Sequence, residues 1–531
     1  TKEDGRPNKA LYELSNKSAA NPDLFCQRNG VVREGVRPRW TMTKPDRQVI
    51  RPSNHKSAIV HSAEVLKHIR KGQRDGRYLV LNASVIDSWS DIFLSPVGVV
   101  DKAGNETRMI NDYSYPDGAS VNDITDRSNI PPVSYNPPRD IARRIHDLRT
   151  AQPDADVLLM LGDVSGAFRH VPVHEDAVHM FAFAIDDYVV IDLTCGFGWC
   201  GSPAFYSLAG SAINDIYEAI NDRKFTPWRS KNVVLGLMWD AADGTVSIPA
   251  EKLQRATTKV DQVLNAGRAS KSDLQKLLGV FRHVASCFPS ARAFYQRAHT
   301  ATVAMLPYGA RALDTDTIED LRWFRAVMLN QNRFNGIPVS QFAATTPPCI
   351  IVEMDASNTG LCALDTSRRE YIRLQYSDEE CAELQSGSYQ NSINVRELQS
   401  AVLAALLWGP HWQNASPTQP THVQFHIDNM SAVSWASRRY SRHPTAQLYN
   451  RLISMVELKY GLFFSAIHIP GKLNTMVDAG SRAWTESHPL WATWSDLSCA
   501  WTQVNVVPPF DNLSRVWERF CAATPWQDRQ T

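Results

Sequence analysis

The chain has 531 residues, and its 56 lysines and arginines against 55 aspartates and glutamates give a formal net charge of +1. A chain of this length predicts about two to four domains, each able to bury its own core. The charge balance excludes a globally basic protein, so any surface for a polyanion must be local.

Cysteine and hydropathy patterns restrict the class further. The nine cysteines include no CxxC pair and no cluster with histidine at zinc spacing, which predicts reduced thiols in an intracellular protein, cytoplasmic or nuclear. No apolar run approaches the roughly 20 residues of a membrane span, so we expect no membrane partner. Because the chain starts with Thr1 and stops at WQDRQT, we expect a piece of a longer polyprotein.

The first 150 residues offer little chemistry of their own. Residues 1–75 are polar, with scattered proline and arginine, and predict an N-terminal extension. YLVL and PVGVV then predict short strands, and DKAGN predicts a turn between strands. Lys102 lies in this turn and Arg108 soon after it, where solvated hairpin charges explain both residues as well as a phosphate contact does.

The next segment combines a strand end with a hairpin. The apolar run at residues 157–161 predicts a buried strand that ends near Asp163, and Phe168 follows on the next turn. MFAFAIDDYVVIDL predicts a hairpin whose turn holds Asp186 and Asp187. Taken alone, Asp163 is explained equally well as an ordinary strand-end aspartate.

A glycine-containing loop then leads into a helix. In CGFGWCGSPAFYSLAG, Gly198 lies in the loop, Ser202 suits the N-cap, and Pro203 suits the first helical position. Phe205 and Leu208 begin an apolar face at helical spacing. A capped core helix is the structural alternative to a functional loop.

Together, DVSGAFRHVPV and FGWCGSPAFY resemble the first and second catalytic motifs of a reverse transcriptase palm. The resemblance implies that Asp163 is a catalytic, metal-binding carboxylate and that Phe168 is the aromatic gate that rejects a ribose 2′-hydroxyl. The upstream hairpin resembles the fingers of the same family, which implies that Lys102 and Arg108 hold the triphosphate. The loop under the incoming nucleotide and template would include Phe197, Gly198, Ser202 and Pro203.

One expected motif is missing from the palm. A reverse transcriptase should next show a hairpin with two adjacent aspartates, but no Asp-Asp pair occurs between residues 206 and 235. KFTPWRSKNVVLGLMWD resembles the segment downstream of that hairpin, so a deletion is expected near residues 218–222. A natural deletion, a mistaken intron boundary and an artificially edited sequence are all open. Because two-metal phosphoryl transfer needs carboxylates on both sides of the ions, the sequence predicts that this chain does not polymerise DNA.

Residues 251–345 predict helices. KLQRATTKVDQVL, SKSDLQKLLGVFRHVASCF and TIEDLRWFRAVML carry apolar residues at 3–4 spacing, and Ser272 is a candidate cap. This segment is similar to the thumb and connection of retrotransposon polymerases. Plain helical packing explains the same pattern.

A second constellation follows, with one acid in each of four motifs. CIIVEMDASNTG, NVRELQSAVLAALLWG, HVQFHIDN and IHIPGKLNTMVDAGSR predict strands and helices that carry Asp355, Glu397, Asp428 and Asp478 at their ends. A turn, a partner of an Asn394 cap, a helix cap and a solvated helix acid explain the four singly. In this order they resemble the ribonuclease H domain fused to retroelement reverse transcriptases, over residues 349–482.

The ribonuclease H resemblance implies a set of site roles. The four carboxylates would be catalytic ligands of two Mg²⁺ (or Mn²⁺) ions, and hard oxygen ligands without His or Cys fit these metals rather than zinc. His468 would assist proton transfer or product release, or is a strand histidine. Asn474 would contact the substrate backbone or shape its loop. Arg438 and Arg439 would contact hybrid phosphates or form a solvated face.

The sequence thus predicts a multidomain protein of α/β and α+β class. Its predicted parts are an N-terminal extension (1–75), incomplete reverse transcriptase fingers and palm (76–250), a helical thumb and connection (251–345), a ribonuclease H-like α/β domain (346–484) and a Trp-rich tail (485–531).

These parts predict a fragment of a retroelement of the long-terminal-repeat or tyrosine-recombinase type. Its partners would be RNA/DNA hybrid, template-primer nucleic acid, and the integrase or recombinase part of the same polyprotein. Metal-dependent cleavage of RNA in hybrids is the expected activity. The alternatives are a non-catalytic nucleic-acid-binding relic and a host interaction scaffold built from such a module.

Overall fold

The computed structural model describes residues 30–31, 33–41, 48, 51–101, 107–133, 135–162, 166–215, 226–306, 308–387, 392–413 and 420–522. The chain divides into two compact units, Thr1–Tyr135 with Gly162–Thr226, and Asn136–Leu161 with Pro227–Thr531. Among the described residues, none forms a helix with the length and apolar character that a bilayer crossing requires.

Both units contain helices and strands. The described helices are α1 Lys56–Val60, α2 Ser62–Arg74, α3 Val85–Ser88, α4 Val121–Ile124, α5 Pro138–Ala151, α6 Ser202–Asp215, α7 Ala250–Ala266, α8 Lys271–Cys287, α9 Gln296–Ala304, α10 Thr315–Leu329, α11 Val339–Phe342, α12 Asp378–Gln385, α13 Ile393–Trp412, α14 Met430–Arg438, α15 Pro444–Tyr460, α16 Thr475–Arg482, α17 Trp491–Ser498 and α18 Leu513–Ala522. The described strands are β1 Tyr78–Asn82, β2 Val97–Asp101, β3 Thr107–Asn111, β4 Ala182–Ile185, β5 Tyr188–Asp192, β6 Lys231–Val234, β7 Leu237–Asp240, β8 Thr245–Ser247, β9 Arg268–Ser270, β10 Ala310–Ala312, β11 Ile337–Pro338, β12 Ile350–Ala356, β13 Gly360–Asp365, β14 Glu370–Gln375, β15 Thr421–Ile427, β16 Leu462–His468 and β17 Thr502–Gln503.

The first unit is built on two small antiparallel sheets. β1, β5 and β4 lie in that order in one, and β2 pairs with β3 in the other. The β4–β5 hairpin turns at Asp186, whose φ is 49°, and Ile185 pairs with Tyr188 across the turn. The hairpin predicted from MFAFAIDDYVVIDL therefore forms, with its aspartates in the tight turn.

The second unit begins with helices packed beside a four-stranded sheet. β11, β8, β7 and β6 form the sheet in that order, and all their pairings are antiparallel. The rings of Phe281 on α8 and Phe324 on α10 stack with centroids 3.8 Å apart. The cap of α8 is Ser270, which forms a capping box with Asp273, and not Ser272 as predicted, because the helix starts earlier.

A six-stranded mixed sheet forms the rest of the second unit. Its order is β16-β15-β12-β13-β14-β17. β13 runs antiparallel to both of its neighbours, β12 and β14, whereas β15 is parallel to both β12 and β16. Because the carboxyl ends of parallel neighbours meet at one edge, residues that follow β12 and β15 are brought side by side.

The described tryptophans of the C-terminal segment are packing residues. The Arg373 guanidinium lies 4.1 Å from the ring centroid of Trp484 and 4.4 Å from that of Trp494. Further along, Trp517 stacks on Trp323 of α10 at 5.6 Å. Trp526 lies outside the described residues. The segment thus packs on both the mixed sheet and the helical part of the second unit.

A buried ion pair connects three elements around the mixed sheet. Arg439, whose φ of 54° ends α14, pairs with Glu457 of α15 at 2.8 Å, and the two side chains are 3% and 1% exposed. Glu457 also accepts hydrogen bonds from the Phe464 amide of β16 at 2.7 Å and from the Ser290 hydroxyl. A buried charge with this many partners is satisfied only while all of them are present.

Removing one member of this pair should cost more than removing both. We expect Arg439→Met to lower the free energy of unfolding by about 3–5 kcal/mol, because it leaves the Glu457 carboxylate buried and unpaired. The double variant Arg439→Met/Glu457→Leu should recover most of this loss. Urea unfolding followed by tryptophan fluorescence measures both. Equal destabilisation in the single and double variants would contradict this account of the pair.

Candidate active site

The parallel pairing of β12 with β15 positions two of the predicted acids. Met354 on β12 pairs with Ile427 on β15, so the residues that follow them, Asp355 and Asp428, emerge at the same edge of the sheet. Glu397 reaches this edge from α13, whose buried face lies against the sheet. Carboxylate oxygens of Asp355, Glu397 and Asp428 all lie within 4.8 Å of one another.

The electrostatics of this cluster follow from burial and like charge. Asp355 is 1% exposed, and Glu397 is 2% exposed. Burial, together with the charges of Asp428 and Asp478, raises the pKa of Asp355 to about 7 against an opposing hydrogen bond from Ser481. Burial and then the charges of Asp355 and Asp428 raise the pKa of Glu397 well above its usual value.

The donor set fits a hard divalent cation. Glu397 Oε2 is buried and has no hydrogen-bond partner among the residues that the structure describes. Three carboxylates at this separation repel one another unless protons or a cation compensate their charge. Oxygen ligands alone are what Mg²⁺ and Mn²⁺ prefer. Asp355, Glu397 and Asp428 could therefore hold such an ion.

Helix capping, the structural role that the sequence left open for Asp428 and Glu397, is not what these two acids do. Asn429 caps α14, accepting hydrogen bonds from the Ser431 and Ala432 amides at 2.9 and 3.0 Å, so Asp428 is not the cap. The Asn394 side chain accepts from Asn429 at 2.7 Å and does not cap α13. Capping therefore explains neither Asp428 nor Glu397.

The fourth predicted ligand, Asp478, lies beside the cluster. Arg482 Nε donates to its carboxylate at 2.7 Å, as an i,i+4 pair on α16. Between them in sequence, the Ser481 hydroxyl donates to Asp355 Oδ2 at 2.5 Å. The last turn of α16 thus connects Asp478 to the three acids that meet at the sheet edge. The sequence analysis does not include Ser481 or Arg482, although their spacing from Asp478 puts all three on one helix face.

Asn474 and His468 also lie at this edge. Asn474 is 1% exposed and donates from Nδ2 to the Met354 carbonyl at 2.9 Å, which ties the loop before α16 to the strand residue preceding Asp355. His468, exposed at the end of β16, has Nε2 3.1 Å from the Asp428 carbonyl oxygen. Asn474 therefore shapes the loop beside the site, and His468 places an imidazole at the rim of the site.

The two predicted arginines of α14 have opposite environments. Arg438 is exposed. Arg439 is buried and committed to Glu457 and to the Phe464 carbonyl, which accepts from its guanidinium at 3.1 Å. This position argues against the predicted phosphate contact at Arg439, because a side chain already paired in the interior cannot reach a strand outside.

In the first unit, three residues assigned to the nucleotide pocket lie together. The Phe168 and Phe197 rings have centroids 4.8 Å apart, and the Arg108 guanidinium lies 4.5 Å from the Phe197 centroid. Gly198 has a φ of 113°, and a Cβ there would lie 2.4 Å from the Asn111 carbonyl oxygen, so glycine is required. Asp163 and Lys102, which the resemblance also assigns to the polymerase site, lie outside the described residues. Glu218 and Asp222, at the expected deletion, lie outside them as well.

The loop behind these residues is held by a buried polar network that sequence reasoning missed. The Ser202 hydroxyl, at the start of α6, donates to the Gly196 carbonyl at 2.7 Å, and Pro203 follows half-buried. Asp192 is fully buried and pairs with Arg169. The local sequence around Asp192 does not predict this ion pair, because Arg169 is 23 residues away.

The sequence and the structure were compared with known proteins. No family model and no curated protein matches the sequence. The chain is similar to a foamy viral protease-reverse transcriptase dRH in complex with double-stranded DNA, with 13% identity, a TM-score of 0.40, and 86% of this chain and 81% of that chain covered. It is also similar to foamy viral protease-reverse transcriptases solved with an RNA/DNA hybrid (13% identity, TM-score 0.38, 86% and 62% covered) and with double-stranded DNA (14%, 0.38, 86% and 96%). With identities of 13–14% and TM-scores of 0.38–0.40, this likeness says nothing about the activity of the chain.

The raised pKa of Asp355 gives a testable pH dependence without metal. Between the ordinary aspartate pKa of about 4 and the folded value of about 7, the folded state binds more protons than the unfolded state, so stability falls as pH rises through this window. We expect Asp355→Asn to match the unmodified chain near about pH 4 and to melt at a higher temperature near about pH 8 in EDTA.

Thermal unfolding across this pH range, with Asp496→Asn as a control, measures the effect. Asp496 is an exposed acid on α17, and the same change there should leave the profile as it is. At about pH 8, excess Mg²⁺ should raise the melting temperature of the unmodified chain above that of Asp355→Asn, because only the intact cluster binds the ion. Parallel profiles for Asp355→Asn and the unmodified chain would show that the cluster carries no such charge strain.

Proposed function

We propose that this chain is a retroelement reverse transcriptase–ribonuclease H fragment whose second unit cleaves the RNA strand of RNA/DNA hybrids with a divalent metal. The cluster of Asp355, Glu397 and Asp428 at one edge of the mixed sheet carries the proposal. Buried carboxylates with raised pKa values that meet in one place are costly, and they are typical of functional sites.

The order of strands and acids supports the assignment of residues 346–484 as a ribonuclease H-like domain. Three antiparallel strands, β12 to β14, continue through β12 into the parallel strands β15 and β16. Asp355 lies near the end of β12, Asp428 directly follows β15, and Glu397 projects from α13, in agreement with the resemblance of residues 349–482. The remaining boundaries, between fingers and palm, thumb and connection, and tail, stay predictions.

Each residue of the site has a role in the proposal. Asp355, Glu397 and Asp428 would hold the metal, with Asp478 completing a two-ion site. Bound there, the ions would supply an activated water and charge neutralisation at the leaving 3′-oxygen of the RNA. Ser481 holds the Asp355 carboxylate in place, and Asn474 fixes the loop beside it. His468 would assist proton transfer or product release from the rim, and Arg438 is exposed and would contact a hybrid phosphate.

The first unit, in this proposal, has lost polymerisation. Arg108, Phe168 and Phe197 form a cation and aromatic surface suited to a nucleotide. However, the sequence carries no Asp-Asp pair between residues 206 and 235 to share metal ions with Asp163. A single carboxylate cannot fix both ions of a phosphoryl transfer site. Template-primer binding is what this unit retains.

Cleavage of a labelled RNA/DNA hybrid in Mg²⁺ tests the activity. We expect Ser481→Ala to lower the rate by about 10–100-fold, the usual effect of removing a group that orients a metal ligand, and Asp428→Asn to lower it further. Asp496→Asn should cleave at the unmodified rate. Double-stranded DNA and a hybrid without divalent ions should give no product.

The opposing outcomes are distinct. Equal cleavage by Asp428→Asn and the unmodified chain would reject the site. Hybrid binding that weakens steeply with salt, without any product, would favour the non-catalytic relic. The same preparation should also incorporate no labelled deoxynucleotide on a template-primer in Mg²⁺ or Mn²⁺, and robust incorporation would overturn the proposed loss of polymerisation.

A further inference from the structure

A cavity outside the acid cluster lies wholly within the second unit. Its volume is about 280 Å³, and it is enclosed by the start of α5, the 3₁₀-helix Pro289–Phe294, α11 and β16. Two guanidinium groups line it, Arg139 from α5 and Arg292 from the 3₁₀-helix. Neither residue belongs to the site described above.

The cavity carries an excess of positive charge. Among the described residues, no ion pair involves Arg139 or Arg292, and both residues are exposed. Desolvation in the cavity, and then the charges of Arg439 and Arg139, lowers the pKa of Arg292. Arg439 is neutralised by Glu457, so the two lining guanidiniums remain uncompensated. Guanidinium groups bind phosphate oxygens well, so two of them lining one cavity suit a phosphate ligand.

Most of the remaining lining is apolar and rich in rings, and Ser286 and Gln341 add two polar side chains. Phe342 and Phe463 contribute aromatic rings, Pro138 and Pro289 contribute flat aliphatic ones, and Ile337 lies among them. Such surfaces accept planar heterocycles by stacking. The volume is near the lower end of pockets that hold small molecules, roughly 300–1,000 Å³, so it suits one nucleotide and not two.

We infer that this cavity binds a phosphate monoester that carries a planar base, with Arg139 and Arg292 on the phosphate and the rings of Phe342 and Phe463 against the base. A free nucleoside monophosphate and the 5′-phosphorylated end of a nucleic-acid strand share this chemistry. The inference goes beyond the proposed nuclease activity and does not depend on it, because no lining residue is a member of the acid cluster.

Calorimetric titration of the full chain with AMP in EDTA tests this pocket, since EDTA excludes metal-mediated binding at the carboxylates. We expect saturable binding at one site, and adenosine and ribose 5-phosphate should each bind about tenfold more weakly or less. Arg292→Gln and Arg139→Gln should each weaken AMP binding by about tenfold or more. Phe463→Leu should weaken AMP but not ribose 5-phosphate.

Controls separate the pocket from general charge and from the nuclease. Arg144→Gln removes an exposed arginine of the same helix that does not line the cavity, and it should leave AMP binding unchanged, as should Asp428→Asn. A 5′-phosphorylated trinucleotide that binds as well as AMP assigns the pocket to strand ends, and one that does not bind assigns it to free nucleotides. Absence of saturation, equal binding of adenosine, or unchanged binding in both Arg139→Gln and Arg292→Gln, each with an unaltered melting temperature, would overturn the inference.

Discussion

The parallel pairing of β12 with β15 is the constraint on which the candidate active site depends. It places Asp355 and Asp428 beside each other at the sheet edge, and α13 contributes Glu397 to the same cluster. Burial and the repulsion between these carboxylates both disfavour their charged forms, which raises the pKa values of Asp355 and Glu397. The surrounding fold holds this edge together in spite of that repulsion.

The supports of this edge come from distant parts of the second unit. Asn474 binds the strand residue before Asp355, Ser481 binds Asp355 itself, and Asn429 fixes the start of α14 directly after Asp428. At the other end of α14, Arg439 is anchored to Glu457 and through it to β16. Because each support is a directed hydrogen bond or ion pair, the carboxylates are positioned before any cation arrives. This is the arrangement that a metal-dependent reaction requires.

The sequence predicted the elements better than their side-chain partners. Period-two and period-3.6 patterns correctly indicated the β4–β5 hairpin and helices α7, α8, α10 and α13. Local patterns failed where a distant residue decides the environment. In SWASRRYSR nothing distinguishes Arg439 from its exposed neighbour Arg438. Arg439 is nevertheless buried, because it pairs with Glu457, 18 residues further along the chain. The cavity between Arg139 and Arg292 escaped prediction for the same reason, since more than 150 residues separate its two cations.

The proposed chemistry depends on metal binding at the acid cluster of the second unit, which Asp355, Glu397 and Asp428 could provide. Titration of Mn²⁺ into the full chain, followed by electron paramagnetic resonance of the free ion, measures this binding without any substrate. The account predicts saturable binding that Asp355→Asn or Asp428→Asn abolishes and that Mg²⁺ competes away. Mn²⁺ binding of the same strength in these variants, or none in the unmodified chain, would contradict it.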